Sequence, residues 1–360
     1  MAGERDLALR DYRPRQMLRV PSHVVPRPLL PAIDAHNHLG QPFGGEWAQR
    51  SAPELAAVLD EAGVTAIVDL DGGWGDRLRL EIERWQDALP GRVAVFAGLD
   101  YDMWAAERDF GEVEARRLRA GVAAGARGLK VWKVLGLRAR DSSGRLVGVD
   151  DERLDPLWAA AGELGVPVTI HVADPIAFFE PLDAANERWE ELHEHPDWHF
   201  WPTRPPGRPD LDGFPPFDEL IDGLEAVVVR HPSTAFIGAH VGCAAEDLAR
   251  VSTILERAPN FHVDIAARIA ELGRQPYTTR AFIERWRDRV LFGTDMAPDP
   301  AWYAAYYRFL ETRDESFAYD ADPESNEPPS QGRWRIHGLG LDEPTLRAVY
   351  HDNAARLIRF

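Results

Sequence analysis

A single cysteine, Cys243, stands among 360 residues, so no internal disulfide can form and no cysteine-built zinc site exists. Basic residues are also in deficit: 41 Lys and Arg face 59 Asp and Glu, a formal net charge of −18. So acidic a chain is a poor partner for nucleic acid or an anionic membrane surface, both of which need a basic face. It says little about a small-molecule substrate, because a buried pocket can be locally positive on an acidic protein. No apolar run reaches the roughly 20 residues of a membrane span. Residues 1–30 carry mixed charge and proline instead of the apolar core of a signal segment. Low-complexity tracts and short-period repeats are missing, as is a glycine-rich phosphate fingerprint after the first apolar run. A cytoplasmic enzyme is the default expectation, and a homo-oligomer is compatible with it.

What is present is the composition of an ordinary globule, 45% apolar and 28% charged, long enough to bury a full core. Eight short runs rich in Val, Ile and Phe read as strands: 32–35, 64–70, 93–99, 128–135, 167–172, 234–239, 261–265 and 290–292. Segments of helical period lie between them, at 52–61, 77–88, 112–124, 156–164, 217–230, 246–257 and 280–287. Strand then helix, repeated about eight times, requires a parallel sheet with crossovers. His36 to Asp295 spans about 260 residues in seven steps, about 37 per step, the size of a strand-helix unit with insertions. The expected fold is α/β: a (β/α)8 TIM barrel over residues 31–360, with residues 1–30 as an N-terminal arm packed on it. A doubly wound open sheet competes, without the fingerprint that usually accompanies it.

Two connections exceed what a crossover needs. Residues 174–216, after the fifth strand, contain Phe178, Phe179, Trp189, Trp198, Phe200 and Trp201; residues 297–337, after the eighth, contain Trp302, Tyr303, Tyr306, Tyr307 and Trp334. Long loops at the carboxyl ends of barrel strands bind substrates, so a pocket lid is expected there, against the alternative of a structural elaboration or subunit contact.

The chemistry-bearing residues fall at strand ends. His36 and His38, two apart after Ile33-Asp34-Ala35, share one side of a strand and project together, as two nitrogen ligands of one ion must. On the fourth strand Gly128, Lys130 and Trp132 share a face opposite Leu129 and Val131, which turns Lys130 into the barrel. A lone buried ammonium is costly there; a neutral amine, a paired ammonium or a carbamate is not. Lys133 is expected to be solvated or salt-bridged at the strand end. His171 ends Val168-Thr169-Ile170, His240 ends Phe236-Ile237-Gly238-Ala239, and Asp295 follows Val290-Leu291-Phe292-Gly293-Thr294. Either histidine alone reads as a core residue; two in register with His36 and His38 read as ligands, and a carboxylate after such a run is rarely there for packing.

With these elements in order, the chain resembles the amidohydrolase superfamily of metal-dependent TIM-barrel enzymes. Ile33-Asp34-Ala35-His36-Asn37-His38 and Phe292-Gly293-Thr294-Asp295 are most similar to amidohydrolase family 2, and the resemblance runs from about residue 31 to the C-terminal helix. Gly128-Leu129-Lys130 is similar to the carbamylated-lysine segment of other branches. The resemblance implies that His36, His38 and Asp295 hold one metal, that His171 and His240 hold a second, and that carbamylated Lys130 bridges them. Decarboxylases of the family-2 branch instead imply one zinc on the first-strand motif, His171 and Asp295, with His240 catalytic and Lys130 unmodified.

The expected activity is hydrolysis of a lactone, amide or ester by a metal-activated hydroxide, with Asp295 and His240 as catalytic groups. A mononuclear-zinc decarboxylase or related lyase is the alternative, and a non-catalytic metal-binding protein the third class. Zinc is the first expectation, with manganese, iron or cobalt accepted by the same ligands. Asp264 or His262, sharing a face of the seventh strand, would support the ligands. Arg268 would bind a substrate carboxylate or pair with Asp264 or Glu271. Trp132, Phe178, Phe179, Trp198, Trp201 and Trp74 are candidates for an apolar pocket wall. His193, His195 and His199 have no preferred metal spacing.

Overall fold

A computed structural model describes residues 17–40, 47–201, 213–319 and 331–360, together with residues 8 and 45. Most of the expected arm before residue 17, and parts of the two long connections at 202–212 and 320–330, lie outside the described residues. Eight strands form one sheet in chain order: β1 (Ala32–Asn37), β2 (Val64–Asp69), β3 (Val93–Ala97), β4 (Gly128–Val131), β5 (Val168–Ile170), β6 (Phe236–Gly238), β7 (Phe261–Asp264) and β8 (Val290–Leu291). Every successive pair is parallel, and a helix follows each strand. Examples are Ala52–Ala62 after β1, Phe110–Ala123 after β3, Phe217–Arg230 after β5 and Pro300–Glu311 after β8. Sequential order with alternating helices is a (β/α)8 barrel and excludes the open doubly wound sheet. No helix among the described residues is long and apolar enough to cross a membrane.

Local sequence accounts for the elements. In Ala52–Ala62 the Glu54 carboxylate accepts from the Ser51 N–H at 2.8 Å, Pro53 sits in the first turn, and Gly63 ends the helix at φ 76°. Leu55, Leu59 and Ala62, at helical spacing, are its buried residues. Ile33, Ala35, Ala66, Val68, Ala94, Phe96, Ile237 and Leu291 form a cluster of their own. They come from β1, β2, β3, β6 and β8, and only the barrel interior brings strands so far apart in the sheet into contact. Gly128 makes room for this filling, since a Cβ there would stand 2.4 Å from the Phe96 ring.

Strand β1 departs from strict alternation. Asp34 pairs with Ile67 and Asn37 with Asp69, so three steps on β1 span two on β2. This extra residue is a bulge, which re-aims side chains at the end of a strand. Asp34 and Asn37, three apart, thereby lie side by side, with Asn37 Nδ2 donating to Asp34 Oδ2 at 2.9 Å. The barrel closes where β1 meets β8. Ala35 N–H donates to the Phe292 carbonyl and Asp295 N–H to the His36 carbonyl, each at 2.9 Å.

Asp34 reinforces this seam. Its Oδ1 accepts the amides of His36 (3.2 Å) and Thr294 (3.1 Å); its Oδ2 accepts Asn37, the Thr294 hydroxyl (2.7 Å) and the Tyr303 hydroxyl (2.9 Å). Asp34→Ala would leave buried donors from three segments without an acceptor, a loss of about 3–5 kcal/mol by analogy with broken buried polar pairs. Urea unfolding of the metal-free protein measures it, and a change below about 1 kcal/mol, the scale of an exposed pair, would contradict this role.

Candidate metal centre

The bulge on β1, the interior face of β4 and the carboxyl ends of β5, β6 and β8 deliver the expected side chains to one mouth of the barrel. His36 Nδ1 donates to Asp264 Oδ2 at 2.8 Å, His38 Nδ1 to Asp71 Oδ1 at 2.8 Å, and His240 Nδ1 to the Ala266 carbonyl at 2.8 Å. A neutral ring that gives its proton to an oxygen at Nδ1 presents a bare lone pair at Nε2. Those Nε2 atoms converge on Asp295: Oδ1 stands 3.2 Å from His38 and 3.7 Å from His36, and Oδ2 stands 3.7 Å from His240. One ligand atom each from His36, His38 and Asp295 lie within 4.8 Å of one another. Two imidazoles and a carboxylate, all buried or nearly so, suit zinc and related divalent ions. His36, His240 and Asp264 also approach within that distance. Asp264 is already occupied, however, because its Oδ1 accepts the amides of His240 (2.8 Å) and Ala266 (3.1 Å).

Lys130 points inward, as its parity requires. It is fully buried, with Nζ 3.3 Å from His36 Nε2 and 5.1 Å from the Trp132 ring. Burial lowers its pKa, while Asp295 and Asp264 pull the other way without restoring it. Among the described residues it makes no ion pair with a carboxylate. His171 turns Nε2 to the Ala173 carbonyl (3.1 Å) and Asp174 Oδ1 (3.3 Å), and its ring centroid lies 4.5 Å from that of His240. Burial pushes the His171 pKa down to about 4. Lys133 pairs with Asp174 on its other oxygen, so a lysine, a carboxylate and a histidine form one chain along the wall. Burial alone would lower His38, but the charges of Asp71 and Asp295 and the hydrogen bonds to both raise it to about 9. Burial would raise Asp295, yet the charge on His36, the hydrogen bond from His38 and the Lys130 charge hold it well below the usual carboxylate range.

The backbone carrying these groups is unusual. His240, Val241, Gly242 and Cys243 have φ of 57°, 60°, 64° and 64°, a full left-handed turn containing a β-branched residue. Left-handed residues other than glycine are disfavoured by about 1–2 kcal/mol each, and such conformations concentrate at functional sites. Asp264 Oδ1 on the His240 amide and the Cys243 N–H donating to the Ala239 carbonyl at 2.8 Å hold the turn. Asp295 is itself left-handed at φ 55°.

Above the candidate ligands lies a cavity of about 600 Å³. His36, His38, His171, His240 and Asp295 form its floor, and the segment after β5 supplies Asp174, Pro175, Phe178, Arg188, Glu191, His195, Trp198 and Phe200. Trp198 stacks between His195 (4.0 Å) and Phe178 (6.4 Å). Arg188 is buried and paired with Glu191 (2.7 Å) and Glu271. Arg333, after β8, grips Glu190 at 2.7 Å through two nitrogens, tying one long connection to the other.

Of the expected pocket residues, Trp132, Arg268, Phe178 and Trp198 line this cavity. Arg268 is 6% exposed and its guanidinium donates to the Ala267 carbonyl at 2.8 Å. It pairs with neither Asp264 nor Glu271, since the first serves His36 and the second serves Arg188. Phe179 packs behind the wall against Phe200 (5.3 Å) and Phe217 (5.6 Å). Trp74 stands at the start of Gly75–Glu81, 39% exposed and outside the lining. Trp201 is also outside it, at 6.0 Å from His199. His193 packs against Trp189 with its ring tilted, and His199 Nε2 meets the Glu180 carbonyl at 2.9 Å. His262 shares a face with Asp264 but sits two residues lower on β7, ~6–7 Å down the strand, near Arg289 and Arg356 and away from the ligands. Sequence reasoning missed Asp71, whose one signal is an acid at a strand end before Gly72-Gly73, and the Ala266 carbonyl, which has none.

The family model described as amidohydrolase, of amidohydrolase family 2, matches residues 33–360. No curated protein matches the chain. Among solved structures, a 2,6-dihydroxybenzoate decarboxylase complexed with 2,6-dihydroxybenzoate is 16% identical with a TM-score of 0.54, over 91% of this chain and 98% of its own. A dihydroxybenzoic acid decarboxylase from Polaromonas sp. JS666, with bound manganese and the inhibitor 2-nitroresorcinol, is 15% identical with a TM-score of 0.54, over 91% and 96%. An uncharacterised TIM-barrel protein from Bordetella bronchiseptica is 14% identical with a TM-score of 0.51, over 91% and 98%. At these identities the likeness is one of fold.

The raised His38 pKa has a measurable consequence. A metal must displace one proton from a ring that holds it up to about pH 9, so apparent affinity should rise about tenfold per pH unit from 7 toward 9 and then level. Chelator competition with manganese across that range reads the slope; affinity independent of pH would contradict His38 as a ligand.

Proposed function

Because the chain belongs to the amidohydrolase family, we propose that it is a metal-dependent hydrolase of a carbonyl substrate, a lactone, amide or ester. One divalent ion would be held by His36, His38 and Asp295 and a second by His171 and His240, with a carbamate on Lys130 between them. Lys130 carries this reading: a fully buried amine whose pKa burial lowers, with no carboxylate ion pair among the described residues, in hydrogen-bond contact with the His36 ring. Such an amine is nucleophilic. Its lone pair forms the N–C bond to carbon dioxide, one C=O pair moves onto oxygen, and the Nζ proton leaves to solvent. The product is an anionic ligand with two oxygens in place of a costly buried ammonium.

Zinc suits these donors, and manganese or iron is accepted by the same set. When bound, such ions supply Lewis acidity toward a carbonyl oxygen and an activated water near neutral pH. The chain's own groups do the rest. Asp295 takes the proton from the attacking water and passes it to the leaving group. His240, tied at Nδ1 to the Ala266 carbonyl, has Nε2 alone to offer, as the second ion's ligand in this reading or as an acid–base site where one ion is bound. Arg268, buried at the cavity with no carboxylate ion pair among the described residues, binds an anionic or carbonyl oxygen of the substrate. Trp132, Phe178 and Trp198 take its apolar or planar part, and the connection after β5 excludes water.

A one-metal decarboxylase or related lyase is favoured by a different observation. His36, His38 and Asp295 each offer one ligand atom within 4.8 Å of one another, a site for one ion that needs no carbamate. There His240 would protonate carbon and Lys130 would remain an amine.

Lys130→Ala separates the two. The hydrolase loses at least about 100-fold in kcat, as for removal of an electrostatic or metal-bound group, and short carboxylic acids restore part of it. Products formed in ¹⁸O-water carry the solvent oxygen. Full activity in Lys130→Ala, or release of carbon dioxide without solvent oxygen in the product, would overturn the hydrolase.

A further inference from the structure

Asp264 ends β7 with no solvent exposure and serves two other strands at once. Its Oδ1 accepts the N–H groups of His240 and Ala266 at 2.8 and 3.1 Å, and its Oδ2 meets His36 Nδ1 at 2.8 Å. A backbone N–H only donates, so whatever atom stands in the Oδ1 position must accept. The Oδ2 position alone is therefore left to choose the tautomer of His36. An acceptor there keeps the proton on Nδ1 and leaves Nε2 bare, facing Lys130 Nζ at 3.3 Å. We propose that Asp264 is a positioning residue that selects the metal-binding tautomer of His36 while it anchors the left-handed turn carrying His240. One carboxylate thus sets the lone pair on β1 and the seat of the imidazole after β6. This rests on the reading of His36 Nε2 as a ligand.

Asp264→Asn isolates the tautomer from the packing. The carboxamide has the same size, and the two amides fix its oxygen in the Oδ1 position. Its NH2 group must then face His36 Nδ1. Two donors cannot share that contact, so the ring shifts its proton to Nε2 and blocks the ligand nitrogen. The count of hydrogen bonds is unchanged, and the fold and the His240 turn are retained. Asp71 repeats the pattern for His38: Oδ2 accepts the Gly40 N–H at 2.9 Å and Oδ1 meets His38 Nδ1 at 2.8 Å. Asp71→Asn is an independent copy of the experiment.

The test is ¹⁵N spectroscopy of the imidazole rings in metal-free full-length protein at alkaline pH, joined to equilibrium dialysis against manganese alone. Wild type should show His36 protonated at Nδ1. Asp264→Asn should show it protonated at Nε2, lose about 10- to 100-fold in manganese affinity, and keep its thermal midpoint. Nε2–H in wild type, or Nδ1–H retained in Asp264→Asn, would overturn the assignment. Should Asp264→Asn not fold, the wild-type tautomer of His36 decides, and Asp71→Asn tests the same carboxylate rule at His38. A wild type with the Nδ1–H tautomer and no manganese binding would uphold Asp264 as the selector and sink the metal reading instead, so the two failures are told apart.

Discussion

The closed seam between β1 and β8 is the constraint on which the site depends. His36 and His38 lie near the start of the fold and Asp295 near its end, so they meet only if the barrel closes in one register. Two backbone hydrogen bonds across β1 and β8 are a short ladder for that task. Asp34 supplies what they lack, since its two oxygens collect donors from β1, from Thr294 after β8 and from the helix bearing Tyr303. A buried carboxylate is tolerable only when its lone pairs are filled, and here the filling is the seam itself. The β1 bulge belongs to the same device. It sets Asn37 beside Asp34 on the helix side and lets the neighbouring histidines turn to the mouth.

Once the seam is fixed, the site is built from groups that have each given up one of their options. His36, His38 and His240 are tied at Nδ1 to oxygens from Asp264, Asp71 and Ala266, so their Nε2 atoms face one region. The His240 turn is left-handed over four residues, a conformation that persists only because its surroundings over-determine it. Pre-organisation of this kind removes reorganisation from a reaction that depends on electrostatic placement.

Much of this was legible in the sequence. Seven of the eight strands fall within the expected runs and β1 extends two residues beyond its own, to Asn37; alternation on the short β4 placed Lys130 inside. Alternation was less adequate on β1, because a bulge depends on the partner strand and leaves no trace in one segment. It also treated His262 and Asp264 as equals, although depth along β7 separates them. Trp74 and Phe179 could not be distinguished from Trp132 and Phe178 by residue type, since an aromatic behind a wall and one facing the cavity obey the same burial rule. Arg268 lines the cavity as expected, but that Glu271 does not pair with it depends on Arg188 reaching Glu271 from another connection. Asp71 and the Ala266 carbonyl act through tertiary contacts that no local pattern encodes.

The candidate ligands form a three-membered group around Asp295 Oδ1 and a neighbouring pair of imidazoles, and in the proposed reading the buried Lys130, 3.3 Å from His36 Nε2, joins them. Whether that junction is made is the central claim, and metal content per chain measures it most directly, on protein grown with zinc and manganese and kept from chelators. Close to two ions per chain is the result predicted for a carbamate-bridged centre. Close to one ion, with Lys130 unmodified, would contradict it and assign the site to the one-metal lyase.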